Sequence, residues 1–81
     1  MKQGYYSGLA IATWLVYAHR FLDACRTGKY PTAKTLADDR EVHVQTARRM
    51  IHTMRDYFNA PLEFDNSENG WYLTEPWELR I

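Results

Sequence analysis

Apolar residues recur at steps of three and four as far as Phe58 and at steps of two from Leu62 onward, with Asn59-Ala60-Pro61 between the two patterns. A side chain returns to the same face every 3.6 residues on a helix and every second residue on a strand. The change of period therefore marks where helix must give way to sheet. The chain has 81 residues, room for one small domain spanning 1–81 and too little for a two-domain enzyme with a deep cleft. With 46% hydrophobic and 15% aromatic residues it carries enough apolar surface to fold rather than remain disordered.

The helical part divides into three. From about Leu9 to Arg26, Ile11, Leu15, Ala18, Leu22 and Cys25 form one stripe, broadened by Trp14 and Phe21. Gly28 supplies the stop. The Tyr30-Pro31 step is expected to hold the chain extended, and Thr32 to cap a short second helix over about 33–39 that buries Leu36 and Ala37. Arg40-Glu41-Val42-His43 breaks the period. A third helix follows over about 44–58, with Ala47, Met50, Ile51, Met54 and Phe58 on one side. At 100° per residue, Gln45, Arg49 and His52 fall within roughly 60° of one another on the opposite side, with Arg48 beside them.

Two short alternating runs, Leu62-Glu63-Phe64-Asp65 and Trp71-Tyr72-Leu73, flank the polar Asn66-Ser67-Glu68-Asn69-Gly70 and read as a hairpin over about 62–73. Leu62, Phe64, Trp71 and Leu73 are expected to share the face packed on the helices. The tail from Thr74 to Ile81 has no period. The predicted fold class is α+β, mostly α: a winged helix-turn-helix, three helices followed by a two-stranded β-hairpin wing.

A net charge of zero, ten basic against ten acidic residues, conceals a dipolar chain. Residues 26–55 hold Arg26, Lys29, Lys34, Arg40, Arg48, Arg49 and Arg55 against Asp38, Asp39 and Glu41, a balance of +4. Residues 56–81 hold Asp56, Glu63, Asp65, Glu68, Glu75 and Glu78 against Arg80, a balance of −5. The basic segment includes the helix that a winged helix-turn-helix lays in the major groove of DNA. Gln pairs two-pronged with adenine and Arg with guanine, while Arg or Thr46 also suits phosphate oxygens.

The runs Gly28-Lys29-Tyr30-Pro31-Thr32-Ala33-Lys34-Thr35-Leu36-Ala37, Val42-His43-Val44-Gln45-Thr46-Ala47-Arg48-Arg49-Met50-Ile51, Ala60-Pro61-Leu62-Glu63-Phe64-Asp65 and Gly70-Trp71-Tyr72-Leu73-Thr74-Glu75-Pro76 cover about two-thirds of the chain. In this order and spacing they resemble the N-terminal DNA-binding domain of bacterial WYL-domain transcriptional regulators, related to DeoR-type winged helices. The resemblance implies sequence-specific binding of double-stranded DNA by a homodimer in transcription regulation, with Thr32, Lys34, Gln45, Thr46, Arg48, Arg49 and His52 as the DNA-binding set. It implies no cofactor, and a ligand-sensing WYL effector domain following the wing, which is not expected within these residues. The chain departs from the family pattern at His43, where Ser is common and a good cap contributes about 1 kcal/mol. It departs also at Arg40, commonly aromatic, at Met50, commonly acidic, and at the hairpin loop, which holds Glu68 and no cation.

Other chemistries find little support. His43 and His52 are nine apart with no Cys or carboxylate completing a ligand set, so no metal is expected. Glu63 and Asp65 share a strand face directed to solvent, and no nucleophile elbow or phosphate loop occurs, so the chain is not expected to be an enzyme. The single Cys25, on the apolar stripe, is expected to be inert core in a reducing, cytoplasmic setting. The charge-free stretch from Gln3 to His19 contains Gln3, Gly4, Ser7, Gly8 and Thr13, and is expected to be a buried helix rather than a membrane span. Tyr5, Tyr6, Leu9, Trp14, Val16 and Tyr17 extend the apolar surface of the first helix. Either Trp71, Trp77 and the tail fold over that surface, or it is a homodimer seam. An alternative function follows from the same features: a protein-protein interaction module using the aromatic first helix and the acidic C-terminal third.

Overall fold

The computed structural model describes the backbone from Lys2 to Arg80 and the side chains from Ile11 to Arg80. Three helices, α1 (Lys2–Arg26), α2 (Ala33–Arg40) and α3 (Val44–Asp56), precede an antiparallel hairpin of β1 (Leu62–Asp65) and β2 (Gly70–Leu73). This is an α+β layout of winged-helix type.

Helix boundaries follow from local chemistry. Gly28, at φ +72°, closes α1: Lys29 N–H donates to Ala24 C=O and Gly28 N–H to Cys25 C=O, the paired bonds of a Schellman end. Thr32 starts α2 with a capping box, its hydroxyl accepting from Thr35 N–H at 3.0 Å while the Thr35 hydroxyl accepts from Thr32 N–H. Glu41 turns left-handed at φ +60° to end α2, and three residues separate α2 from α3. His43 caps α3 despite not being Ser: its Nδ1 accepts from Gln45 N–H at 3.1 Å. Asn59, also left-handed, ends the turn after α3, and Pro61 prevents continuation.

The core joins every element. Ala18, Phe21, Leu22 and Cys25 of α1, Leu36 and Ala37 of α2, and Ala47, Met50, Ile51 and Met54 of α3 are buried with Ala60, Leu62 and Leu79. Trp71 and Leu73 of β2 pack partly against this cluster. Arg20 clamps α1 to α2 by donating through Nε and Nη2 to both carboxylate oxygens of Asp39, at 2.8 and 2.6 Å. Arg40, at the end of α2, donates to Met50 Sδ of α3 at 2.9 Å.

Four expectations need correction. First, α1 begins at Lys2 rather than near Leu9, because Gly4, Ser7 and Gly8 lower helix propensity without breaking the backbone ladder. At 1.5 Å per residue α1 is about 37 Å long, most of the 47 Å long axis of the molecule. Second, the charge-free stretch is not the buried helix expected: of residues 11–19 only Ala18 is buried, and Ile11, on the expected stripe, is 60% exposed, since α1 outruns the body it packs on. Third, Phe64 shares a face with Trp71 and meets it edge-on at 5.5 Å, but is 42% exposed: the hairpin tip overhangs the helices. Fourth, Tyr30 is not extended before Pro31 but left-handed, at φ +50°. Trp71 N–H donates to Pro31 C=O at 2.8 Å, and the Tyr30 and Tyr72 rings lie 6.2 Å apart, so β2 holds this bend in place.

The aperiodic tail partly covers α1. Leu79 is buried, Trp77 packs on the core, and Arg26 Nη2 donates to Trp77 C=O at 3.2 Å. Trp14 packs instead on Phe58, with ring centroids 5.9 Å apart. Val16 remains 55% exposed. The expected roles of Tyr5, Tyr6 and Leu9 lie outside the described side chains.

Candidate nucleic-acid interface

The amphipathic character of α3 fixes its orientation. Burial of Ala47, Met50, Ile51 and Met54 commits one side to the core, so the residues half a turn away must face solvent. Gln45, Arg48, Arg49 and His52 are all exposed, and Thr46 is half-buried at the margin. Arg48 Nη1 donates to Gln45 Oε1 at 3.1 Å, an i to i+3 pair that aligns amide and guanidinium along the helix. Among the described residues, Arg49 makes no hydrogen bond or ion pair. Its guanidinium is therefore available to an external acceptor.

Nearby carboxylates leave this face basic. Asp39 is held by Arg20, and Asp38 pairs with Lys34 at 3.3 Å in an exposed i to i+4 bridge on α2. No hydrogen bond or ion pair among the described residues links Arg48 or Arg49 to the acidic C-terminal third. Exposed bridges of the Lys34 type contribute at most about 1 kcal/mol, so Lys34 can exchange Asp38 for another anion at little cost.

The expected set thus separates into two groups. Gln45, Arg48, Arg49 and His52 share the outward side of α3, with Thr46 at its edge. Thr32 and Lys34 stand at the first turn of α2, and no hydrogen bond or ion pair among the described residues joins them to the first group. The Thr32 hydroxyl is already engaged twice with Thr35, as acceptor from its N–H and at 2.9 Å from its hydroxyl, so its first role is the helix cap.

One cation of the basic segment that is not in the expected set, Arg55, also lies near the interface. Arg55 is half-buried one turn beyond His52, its guanidinium carbon 5.9 Å from the Trp71 ring centre and its Nη2 2.9 Å from His52 Nδ1. The i to i+3 spacing of His52 and Arg55 is visible in the sequence; the contact with Trp71, which closes through the hairpin, is not.

The open hollows between α1 and the tail, by Arg26 and Trp77, and between α1 and α2, by Arg20 and Asp39, lie away from the outward side of α3. Among the described residues no three His, Cys, Asp or Glu side chains gather as a metal site, and no helix is long and apolar enough to cross a membrane. Burial pushes the Cys25 thiol up to about 12. The folded state thus favours the neutral thiol, a stabilisation complete below the ordinary thiol pKa of about 8.5 and lost as pH rises from there toward the folded value. Iodoacetamide at about pH 8 is expected to label native Cys25 far more slowly than the urea-unfolded chain. Equal rates would place the thiol at the surface.

No protein-family model, curated protein or solved structure matches the chain.

Proposed function

We propose that the chain binds double-stranded DNA sequence-specifically in transcription regulation, with α3 as the reader in the major groove. The observation that carries this reading is the joint exposure of Gln45, Arg48, Arg49 and His52 on a helix whose other side is committed to the core. An α-helix fits the major groove, and these side chains match its donor and acceptor pattern. The hairpin loop carries Glu68 and no cation, so phosphate anchoring is assigned to Arg48, Arg49 and Lys34 rather than to the wing. The resemblance to WYL-associated, DeoR-like winged helices supports the same reading, and with it a bacterial, cytoplasmic regulator acting as a homodimer. The length of α1 beyond the body, with Ile11 exposed on the continuation of the core stripe, favours a second copy there.

Selection of bound duplexes from a random pool, followed by fluorescence anisotropy at several salt concentrations, tests the proposal. Binding is expected to converge on a defined sequence and to weaken with salt, with a slope of log K against log salt of roughly −3 per protomer if about three phosphates are neutralised. Absence of salt-sensitive binding at any duplex would reject it.

A second reading is favoured by the exposure of Ile11, Val16 and Tyr57, the last at 82%. Here the fold is scaffold, and the first helix with the acidic C-terminal third binds another protein. That reading requires partner binding to survive the double change Arg48→Ala and Arg49→Ala and to fail with Ile11→Glu.

A further inference from the structure

We propose that Arg55 is a positioning residue that holds His52 as its Nε2–H tautomer, so that His52 offers a donor to the N7 acceptor of a purine in the bound duplex. The second half of this statement rests on the DNA-binding reading above; the first half does not.

The direction of the bond between Arg55 and His52 is fixed by chemistry. A guanidinium has five donors and no acceptor, so at 2.9 Å Arg55 Nη2 donates and His52 Nδ1 accepts. With Nδ1 occupied as acceptor, the ring proton of the neutral imidazole sits on Nε2. His52 is exposed, which leaves Nε2–H as the donor it can present to an outside group.

Arg55 is itself held from two further directions. Its Nε donates to Asp56 Oδ1 at 3.0 Å, and its guanidinium lies 5.9 Å from the centre of the Trp71 ring, within cation–π range. Phe64 supports that ring edge-on from β1. Arg48 and Arg49 are exposed, whereas Arg55 is half-buried. It is a strut between hairpin and reading helix rather than a phosphate ligand. The hairpin, acidic at its loop and unsuited to touch DNA directly, thus acts on recognition through Trp71, Arg55 and His52.

A major-groove edge offers N7 acceptors on both purines, which suit a lone N–H donor. Through this bond His52 contributes to sequence preference at one base pair.

The test uses the full chain with 15N-labelled histidine, observed by long-range 1H–15N correlation at about pH 8, above the range in which free imidazole titrates. His52 is expected to show an acceptor-type Nδ1 and a protonated Nε2. Arg55→Ala is expected to give mixed tautomers, and Arg55→Lys, which keeps a donor, to restore part of the preference. His43, whose Nδ1 caps α3, reports in the same spectrum that the helix start is intact. A His52 signal unchanged in Arg55→Ala while His43 is unchanged overturns the positioning role, whatever the protein binds. In the binding arm, the duplex selected from a random pool is remade with 7-deazapurine at each purine in turn. One position is expected to weaken wild-type binding about tenfold, the effect of losing one hydrogen bond. The same position should be silent in His52→Ala and reduced in effect in Arg55→Ala. If no single purine behaves in this way, the N7 assignment is overturned even with the tautomer result in hand. If no duplex is selected, the DNA reading fails and with it the N7 half, while the tautomer spectra still decide the role of Arg55.

Discussion

Gly70→Ala is expected to destabilise the protein by about 3 kcal/mol or more, the upper range for forcing an added methyl into a filled site. A Cβ at this position would overlap the carbonyl oxygen of Tyr30 and lie 2.5 Å from its carbonyl carbon. Backbone, unlike the end of a flexible side chain, cannot swing aside. Tyr30 is further restrained by the Pro31 carbonyl bonded to Trp71 N–H, by its ring against Tyr72, and by the Thr32 cap that follows at once. Relief therefore requires β2 to lift from the turn between α1 and α2. For a domain of this size the thermal midpoint should fall by roughly 10 to 20 °C. A melt of Gly70→Ala within a few degrees of wild type would show that the hairpin does not lean on this turn.

Arg49→Ala is expected to weaken duplex binding by about 1 to 3 kcal/mol, roughly 5- to 150-fold, with the melting temperature unmoved. The separation of the two effects follows from its surroundings. Arg49 is exposed and makes no hydrogen bond or ion pair among the described residues, so its removal breaks no such internal bond. Arg48→Ala is less clean, since it also frees the Gln45 amide. If Arg49 holds a phosphate, the salt slope should flatten by about 1; if it reads a guanine, discrimination at one base pair should relax instead. Unchanged affinity would remove Arg49 from the interface.

The elements that local chemistry determines were readable in the sequence. Helical spacing placed α2, α3 and their buried residues, Gly28 marked the end of α1 and Thr32 the start of α2, and the alternation around Asn66–Gly70 placed the hairpin. Features that close through space were not. Gly70 looks like a turn glycine beside Asn69, yet Asn69 takes the left-handed turn position at φ +58° and Gly70 is needed because β2 abuts Tyr30. The preference of a residue before proline for extended backbone was overridden at Tyr30 by that same contact. Ile11 and Phe64 have the right periodicity for burial but lie beyond the edges of a small body. Leu79 is buried although the tail has no period to announce it. Within the candidate interface, the outward side of α3 was readable from angles alone, whereas the tie from Arg55 to Trp71 depends on where the hairpin packs.

Whether the chain meets DNA through the outward side of α3 is most directly measured by amide chemical-shift mapping of the 15N-labelled protein during titration with the selected duplex. The largest changes are expected from His43 to His52, with a second group near Thr32 and Lys34 and little change in the tail around Trp77. Changes confined to the first helix and the acidic C-terminal third, with Gln45, Arg48 and Arg49 undisturbed, would contradict the reading role of α3.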